Sequence, residues 1–334
     1  MSDTVILTVA GATDLAVRAL TACDTSLPNA LSTAAALVGA EADGQSGHGL
    51  SRVPGYAAQA GSGKVDGQAI ARVERIAPAA LRVDAARGFA YPALDAAVAA
   101  LAPLAREAGI AAAAIARSHH MGQAGRPVER LAEQGLVALA MSNTPHAMAF
   151  HGGRRSRLGT NPIAFAAPLP GRAPLLIDLS LSVAARGRIV TAGKAGRPIP
   201  EGWAVDAGGA PTTDPAAALT GALLPVGGAL GAALAMMVEV LCAALAGGRF
   251  GWEASSFFEA DGEPPGVGQV LIAFDPDAFA GPDFLARMNE LASAAAEDGA
   301  RLPGDRRLPS RLAAAEHGLA IPAALHREIE ALGA

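Results

Sequence analysis

Short apolar runs of strand length alternate with longer alanine-rich segments of helical length along the whole chain. The strand-like runs lie at 5–9, 81–83, 111–116, 137–141, 163–166, 175–179 and 270–274. The helical segments lie at 13–22, 26–42, 53–59, 92–108, 128–133, 231–246, 282–297 and 322–332. Because the two kinds of segment mix throughout, the sequence predicts an α/β fold.

Composition and charge narrow the possible partners. A chain of 334 residues is long enough for one large domain or two closely packed ones. The formal net charge is −5, and no basic stripe with interleaved aromatic residues is present, so we predict no nucleic-acid partner. Cys23 and Cys242 are too few for a disulfide framework, and the first residues lack a signal-peptide pattern. We therefore expect a cytoplasmic protein.

One uncharged segment, 216–238, is long enough to cross a bilayer. Pro225, Gly227, Gly228 and Gly231 interrupt it, and Glu239 follows directly. We interpret the segment as a buried loop that leads into a core helix over 231–245, and we predict no membrane partner.

The pair His48 and Arg52 carries the clearest chemical signal. An imidazole can deliver a proton near neutral pH, and a guanidinium can bind a carboxylate with two parallel hydrogen bonds. Gly47 and Gly49 flank the histidine and allow the backbone to approach a small ligand. The pair predicts reduction of the carbonyl or imine of a small acid.

Two common nucleotide-binding signatures are missing. No Gly-x-Gly-x-x-Gly follows a strand, so a classical Rossmann dehydrogenase is disfavoured. The segment Gly61-Ser-Gly-Lys-Val65 superficially resembles a phosphate-binding loop, but Ala58 replaces its first glycine and Val65 its Ser/Thr. We interpret it as a turn.

His119 and His120 are the only adjacent histidines in the chain. On a strand, their side chains would point to opposite faces. No Cys, Asp or Glu lies nearby at ligand spacing, so we predict no metal site.

Eight short motifs follow one another in an order and spacing typical of one enzyme family. They are His48-Gly-Leu-Ser-Arg-Val-Pro54, Arg117-Ser-His-His-Met-Gly122, Ser142-Asn-Thr-Pro145, Gly152-Gly-Arg-Arg-Ser-Arg-Leu-Gly-Thr-Asn-Pro-Ile-Ala-Phe165, Asp178-Leu-Ser180, Ala185-Arg-Gly187, Ile199-Pro-Glu-Gly-Trp203 and Pro211-Thr-Thr-Asp-Pro215. With them the chain resembles the malate/L-lactate dehydrogenase family from about residue 5 to about residue 330. That family also holds ureidoglycolate and sulfolactate dehydrogenases and the reductases of pyrroline- and piperideine-2-carboxylate.

The resemblance implies an architecture. An NAD(P)-binding core that is not a Rossmann domain, with a mixed sheet, would span 71–279. A helical substrate and dimerisation part would be built from both chain ends, 1–70 with 280–334. The enzyme would be a homodimer whose active site lies between the two parts, near the subunit contact.

The resemblance also implies roles for single residues. His48 would donate the proton, Arg52 would hold the substrate carboxylate, and Asn143 would bind substrate. The cofactor would be NAD or NADP, with NADPH slightly preferred. Its contacts would be His120, Met121, Gly122, Gln123, Ala124, Thr160, Asp178, Leu179, Ser180, Pro303, Gly304 and Arg306.

Three positions depart from many relatives. Gly47 stands where a serine can orient the histidine, Arg188 where some relatives have an acidic relay residue, and Leu230 where many have a lysine. Two substrate classes therefore remain as alternatives, open-chain 2-oxo acids and cyclic 2-imino acids. The three departures slightly disfavour dicarboxylates such as malate. The alternative is a silent family member that binds a nucleotide or metabolite without turnover.

Overall fold

Every segment predicted to be helical forms a helix in the computed structural model, which describes residues 3–333. Thr8 begins the first helix because its hydroxyl accepts from the Gly11 amide at 3.0 Å. The helices are α1 (Val9–Ala22), α2 (Leu27–Ala42), α3 (Val53–Gly61), α4 (Ala90–Ala108), α5 (Gly125–Ala132), α6 (Arg186–Lys194), α7 (Pro215–Thr220), α8 (Ala229–Glu239), α9 (Asp283–Glu297), α10 (Arg307–His317) and α11 (Ala323–Leu332). A π-helical segment, Val240–Leu245, continues α8.

The predicted strand-like runs also form strands, with boundaries shifted by one to three residues at most ends. The strands are β1 (Thr4–Leu7), β2 (Arg72–Ala77), β3 (Ala80–Asp84), β4 (Ile110–Ser118), β5 (Val137–Ser142), β6 (Met148–Ala149), β7 (Ser156–Leu158), β8 (Ile163–Leu169), β9 (Arg172–Leu179), β10 (Ala204–Val205), β11 (Pro211–Thr212), β12 (Ala222–Leu223), β13 (Val267–Phe274) and β14 (Leu319–Pro322).

A seven-stranded mixed sheet forms the centre of the molecule. Its strand order is β2-β3-β4-β13-β5-β8-β9, and only β3 and β4 run parallel. Helix α4 packs on β4, and α5 packs on β5 and β8. Many inward-facing strand residues are fully buried alanines such as Ala113, Ala138 and Ala166, whose small side chains allow close helix packing. The expected α/β fold with a mixed sheet is confirmed.

Both chain ends meet in one helical layer. β1 pairs antiparallel with β14, with Thr4 opposite Pro322. The core of this layer combines α1, α2, α3 and α11, and includes the buried side chains of Leu20, Leu37 and Ile329. The chain between residues 46 and 52, which carries His48 and Arg52, connects α2 to α3 within this layer.

A smaller sheet lies in the middle of the chain and was missed by the sequence analysis. Its order is β11-β10-β12-β6-β7, and most of its strands have two residues. Strands this short leave no alternation of polar and apolar residues to read. Together with α6 and α7 this sheet surrounds a separate core that contains Ile189 and Leu223.

Two local predictions were wrong. The loop of the segment 216–238 is not buried, since Val226 to Leu230 is exposed, although the predicted helix forms and buries Ala235 and Val238 on one face. His119 and His120 lie beyond the end of β4, and both side chains are buried instead of pointing to opposite faces of a sheet. Among the described residues, no helix is both long enough and apolar enough to cross a membrane.

Candidate active site

A cavity of about 1340 Å³ lies where the loop between α2 and α3 meets the central sheet and α6. That volume exceeds the range of roughly 300–1,000 Å³ typical for a single small ligand. It therefore has room for a dinucleotide together with a small substrate. The lining includes nine of the residues proposed from the sequence: His48, Arg52, His120, Met121, Gly122, Gln123, Thr160, Asp178 and Ser180.

The loop that carries His48 is held by the end of α2. Gly44 has φ +75° and ends the helix, and two single turns of 3₁₀ helix follow, Ser46–His48 and Leu50–Arg52. The Glu41 carboxylate accepts from the Leu50 amide at 2.9 Å. A Cβ on Gly49 would lie 2.1 Å from a Glu41 carboxylate oxygen, so a larger residue there would displace the Glu41 side chain from its bond to Leu50.

Arg52 is fixed beside His48 by the same loop. Its Nε donates to the Gly47 carbonyl at 2.8 Å, and its guanidinium carbon lies 4.7 Å from the centre of the Phe258 ring. Burial, as the larger cause, and the nearby Arg52 charge together lower the pKa of His48 to about 4. In the ligand-free cavity His48 is therefore neutral at physiological pH.

The structure supplies an orienting partner for His48 in place of the missing serine. Its ring stacks on His120, with ring centres 5.5 Å apart and planes at 18°. His120 Nδ1 shares a 2.7 Å hydrogen bond with the Tyr56 hydroxyl, which lies 3.3 Å from the Tyr91 hydroxyl. Burial lowers the pKa of His120 well below its ordinary value, so it stays neutral. The His48 ring thus lies nearly parallel to a neutral imidazole that is itself held by a hydrogen bond to Tyr56.

Asp178 contributes an acidic group to the cavity. Its Oδ2 accepts from the Gly125 amide at 2.8 Å, while Oδ1 accepts from none of the described residues. Burial raises the pKa of Asp178 to about 6. A carboxylate with one vacant acceptor oxygen suits a ligand that brings a hydroxyl or amide donor, such as a ribose or a carboxamide.

The backbone next to His120 approaches the cavity closely. Gly122 has φ +66°, and a Cβ there would lie 2.5 Å from the Tyr91 hydroxyl. Only glycine fits this position without displacing the tyrosine. The loop His120–Gln123, which lines the cavity, and the Asp178 oxygen without a protein donor are features that fit a nicotinamide dinucleotide.

Six of the proposed site residues do not line this cavity in the described part of the chain. They are Asn143, Ala124, Leu179, Pro303, Gly304 and Arg306. The Asn143 amide donates to Glu239 and to the Arg249 carbonyl, and its oxygen accepts from the Gly268 amide at 3.0 Å. These bonds use the polar atoms of Asn143 for fixing loops. The Pro303 carbonyl likewise accepts from the Leu176 amide of β9 at 3.3 Å.

Sequence reasoning missed a basic wall of the cavity. Arg186, Arg188, Arg197 and Trp203 all line it, and the Arg188 guanidinium lies 5.0 Å from the Trp203 ring centre. The motifs Ala185-Arg-Gly187 and Ile199 to Trp203 identified a family without assigning chemistry to these side chains. Over the described residues, no group of three His, Cys, Asp or Glu side chains is arranged to hold a metal ion.

The sequence matches the family model of malate/L-lactate dehydrogenase over residues 7–330. It is 54% identical over 318 residues to the (2R)-3-sulfolactate dehydrogenase (NADP(+)) of Chromohalobacter salexigens, with 95% of each chain covered. It is 47% identical over 288 residues to a Δ1-pyrroline-2-carboxylate/Δ1-piperideine-2-carboxylate reductase of Pseudomonas putida, covering 84% of this chain and 83% of the relative.

A solved structure shares the whole fold. The Δ1-piperideine-2-carboxylate reductase of Pseudomonas syringae pvar. tomato superimposes with a TM-score of 0.93 at 43% sequence identity, covering 98% of this chain and 99% of that one.

Proposed function

This chain belongs to the malate/L-lactate dehydrogenase family of NAD(P)-dependent oxidoreductases, and we propose that it reduces a small 2-oxo acid or a cyclic 2-imino carboxylate. In the reverse direction it oxidises the matching 2-hydroxy acid or cyclic amino acid. The observation that carries the proposal is the placement of His48 and Arg52 on one wall of a cavity large enough for cofactor and substrate. The two most similar relatives described above act on molecules of these two classes.

Arg52 binds the substrate, and His48 transfers a proton to it. The Arg52 guanidinium, held by Gly47 and Phe258, binds the substrate carboxylate through two hydrogen bonds. His48 gives its proton to the carbonyl oxygen or imine nitrogen as that atom gains negative charge. A nicotinamide cofactor, when bound, supplies the hydride for the adjacent carbon. In the reverse direction neutral His48 accepts the proton from the hydroxyl or amine.

The substrate itself adjusts His48 for this role. The positive charge of Arg52 contributes to the low pKa of His48 in the ligand-free site. A carboxylate bound to Arg52 offsets that charge and raises the pKa of His48, which favours its protonated form. A bound acid therefore shifts the equilibrium of His48 toward the protonated form, while burial still holds its pKa below the ordinary histidine value.

Asp178, Thr160, Ser180 and the loop His120–Gln123 hold the cofactor in this proposal. The Asp178 carboxylate accepts from the cofactor with its vacant oxygen. The relative from Chromohalobacter salexigens is named for NADP(+), which supports NADPH as the preferred reductant here as well.

A turnover assay tests the proposal. Purified protein is mixed with NADPH or NADH and with pyruvate, sulfopyruvate, oxaloacetate, pyrroline-2-carboxylate or piperideine-2-carboxylate, and nicotinamide absorbance is followed. We expect turnover on one class and a fall in kcat of about 10²–10⁴ for His48→Gln, as for the loss of a general acid. His317→Gln, at an exposed histidine outside the cavity lining, serves as the matched control. Absence of turnover with every substrate contradicts the proposal.

The exposed face of α8 supports a homodimer. Leu230, Leu234 and Met237 follow helical spacing i, i+4, i+7 and expose 75%, 42% and 41% of their surface. A contiguous apolar face of this kind is typical of a protein contact. We expect Leu234→Glu with Met237→Glu to lower the mass in light scattering from dimer to monomer. Ile70→Glu, at an exposed apolar residue outside this face, is the control.

A further inference from the structure

We propose that Arg188 and Arg197, with Arg186 beside them, form a second anion-binding subsite in the active-site cavity. The subsite binds an oxyanion group other than the carboxylate held by Arg52. The inference rests on the proposed function, since it names the substrate or cofactor group that this wall of the cavity recognises.

The three arginines belong to one structural unit. Arg186 is the first residue of α6, Arg188 lies within its first turn, and Arg197 follows its end. All three line the cavity together with Trp203, whose ring supports the Arg188 guanidinium at 5.0 Å. An arginine on an aromatic face keeps its hydrogen-bond donors free for a planar or tetrahedral oxyanion.

Their positive charge is not compensated by the protein. Within the described residues, no carboxylate lies within 4.0 Å of the guanidinium groups of Arg186, Arg188 or Arg197. The cavity lining contains two carboxylates, Asp178 and Glu259. Burial lowers the pKa of Arg186 although Glu259 acts in the opposite direction. A cavity wall with unpaired cations is a site that an anion can neutralise.

The second subsite lies near the first one. Phe258 packs against Arg52, and the next residue, Glu259, is close enough to Arg186 to influence its pKa. The segment Phe257–Glu259 thus connects the carboxylate site at Arg52 to the arginine wall. One small molecule with two acidic ends, or a substrate and a cofactor phosphate side by side, fits this arrangement.

The residue at position 188 also distinguishes between substrates. Arg188 places a positive charge where some relatives have an acidic residue. The Arg188 charge repels a protonated cyclic imine, whereas it attracts a sulfonate or a second carboxylate on the substrate. The arrangement therefore favours a dianionic 2-oxo acid over a cyclic imine, and it reverses the slight tilt away from dicarboxylates that Leu230 introduced.

The oxyanion has two possible sources, a distal acidic group of the substrate and the 2′-phosphate of NADPH. Both present delocalised negative charge to guanidinium donors. The two sources are separated by measuring sulfopyruvate against pyruvate, which differ in the sulfonate, and NADPH against NADH, which differ in the phosphate.

The experiment uses Arg188→Gln and Arg197→Gln in the full-length protein. Arg155→Gln is the matched control, since Arg155 is exposed and does not line the cavity. Steady-state kinetics give the ratio of kcat/KM for sulfopyruvate over pyruvate, and fluorescence titration gives the ratio of Kd for NADH over NADPH. We expect one ratio to fall by about tenfold or more in a cavity variant, with Arg188→Lys restoring part of it.

A fall in the sulfopyruvate ratio assigns the subsite to the substrate, and a fall in the nucleotide ratio assigns it to the cofactor. If both ratios stay within the range of Arg155→Gln, the subsite does not exist. If the wild-type protein turns over no substrate, the proposed function fails and the nucleotide titration alone decides the present inference. In that case a lower NADH/NADPH ratio supports it and an unchanged ratio overturns it.

Discussion

Two groups of arginines in this molecule have opposite surroundings. Arg307 and Arg311 on α10 meet carboxylates: both bond to Glu129, and Arg311 also bonds to Asp43. The cavity arginines Arg186, Arg188 and Arg197 meet no described carboxylate within 4.0 Å. The first group fixes α10 to α5 and α2, and the second group faces open space. An arginine that the fold leaves unpaired in a cavity is a candidate for ligand binding, whereas a paired one is structural.

The largest loss of stability is expected when Glu129, the carboxylate shared by Arg307 and Arg311, is replaced. Its side chain is 1% exposed, and although burial raises its pKa, hydrogen bonds from Arg311 and Arg307 hold the pKa at about 2. Glu129→Gln leaves the buried Arg307 guanidinium without a counter-charge and removes one of the two carboxylates that pair with Arg311. We expect the free energy of unfolding to fall by about 3–5 kcal/mol, measured by urea denaturation.

The control for Glu129 is Glu107→Gln, which removes an exposed ion pair with Arg75. An exposed ion pair contributes much less to stability than a buried one, because water screens its charges. The pKa of Glu129 also sets the direction of the pH dependence. Because this pKa is lower in the folded protein than in the unfolded chain, Glu129 stabilises the fold at any pH above the unfolded-chain pKa. This contribution is lost as the pH falls toward about 2. Equal losses for the two variants would contradict the distinction between the groups.

A second prediction concerns Asp43, which joins the paired group to the active-site loop. Its buried carboxylate accepts from Arg311 Nη2 at 2.9 Å and from the Gln123 amide at 2.6 Å, and it lies five residues before His48. Asp43→Asn weakens the charged hydrogen bonds by about 1–3 kcal/mol. We expect a lower melting temperature and also a lower kcat/KM, because the loop that carries His48 loses an anchor.

The readout that separates these two effects is the comparison with Glu129→Gln. A purely structural role for Asp43 would lower stability and leave kcat/KM of the folded enzyme unchanged. Glu107→Gln, whose exposed ion pair with Arg75 lies outside the cavity lining, gives the reference.

The contrast between the arginine groups also shows what the sequence could predict. The helices and long strands follow apolar periodicity, and the His48 loop was located by its glycines. The family resemblance assigned Pro303, Gly304 and Arg306 to the cofactor, but none of them lines the cavity, and the neighbouring Arg307 turns inward to Glu129. Arg307 and Glu129 are 178 positions apart in the chain, so no local sequence pattern predicts that they pair. The cavity wall at α6 was missed for the same reason, since a side chain's partners depend on tertiary contacts.

A similar limit applies to Asn143 and His120. Asn143 stands in a family motif, yet its amide is used by Glu239 and two backbone groups. The stacking of His48 on His120 joins residues from two different loops, and the chain between them gives no sign of it. The residue types could be selected from the sequence, but their pairing required the fold.

The smallest expected effect is a change in the pKa of His48 when Arg52, the cavity arginine beside it, is replaced. Burial is the main cause of the low pKa of His48, about 4, and Arg52 adds to it. Arg52→Gln removes the second cause and keeps the first, so the pKa should rise by less than about 1 unit and stay below the ordinary histidine value. NMR titration of the His48 ring protons measures this pKa.

The neighbouring His120 remains neutral throughout because burial keeps its pKa well below the ordinary value. Adding whichever acid of the assay panel the wild-type protein turns over should shift the His48 pKa in the same direction, since a bound carboxylate offsets the same charge. A wild-type pKa that does not respond to that acid would mean that Arg52 does not hold the substrate, and that the distinction between paired and unpaired arginines fails at the site where it matters most for chemistry.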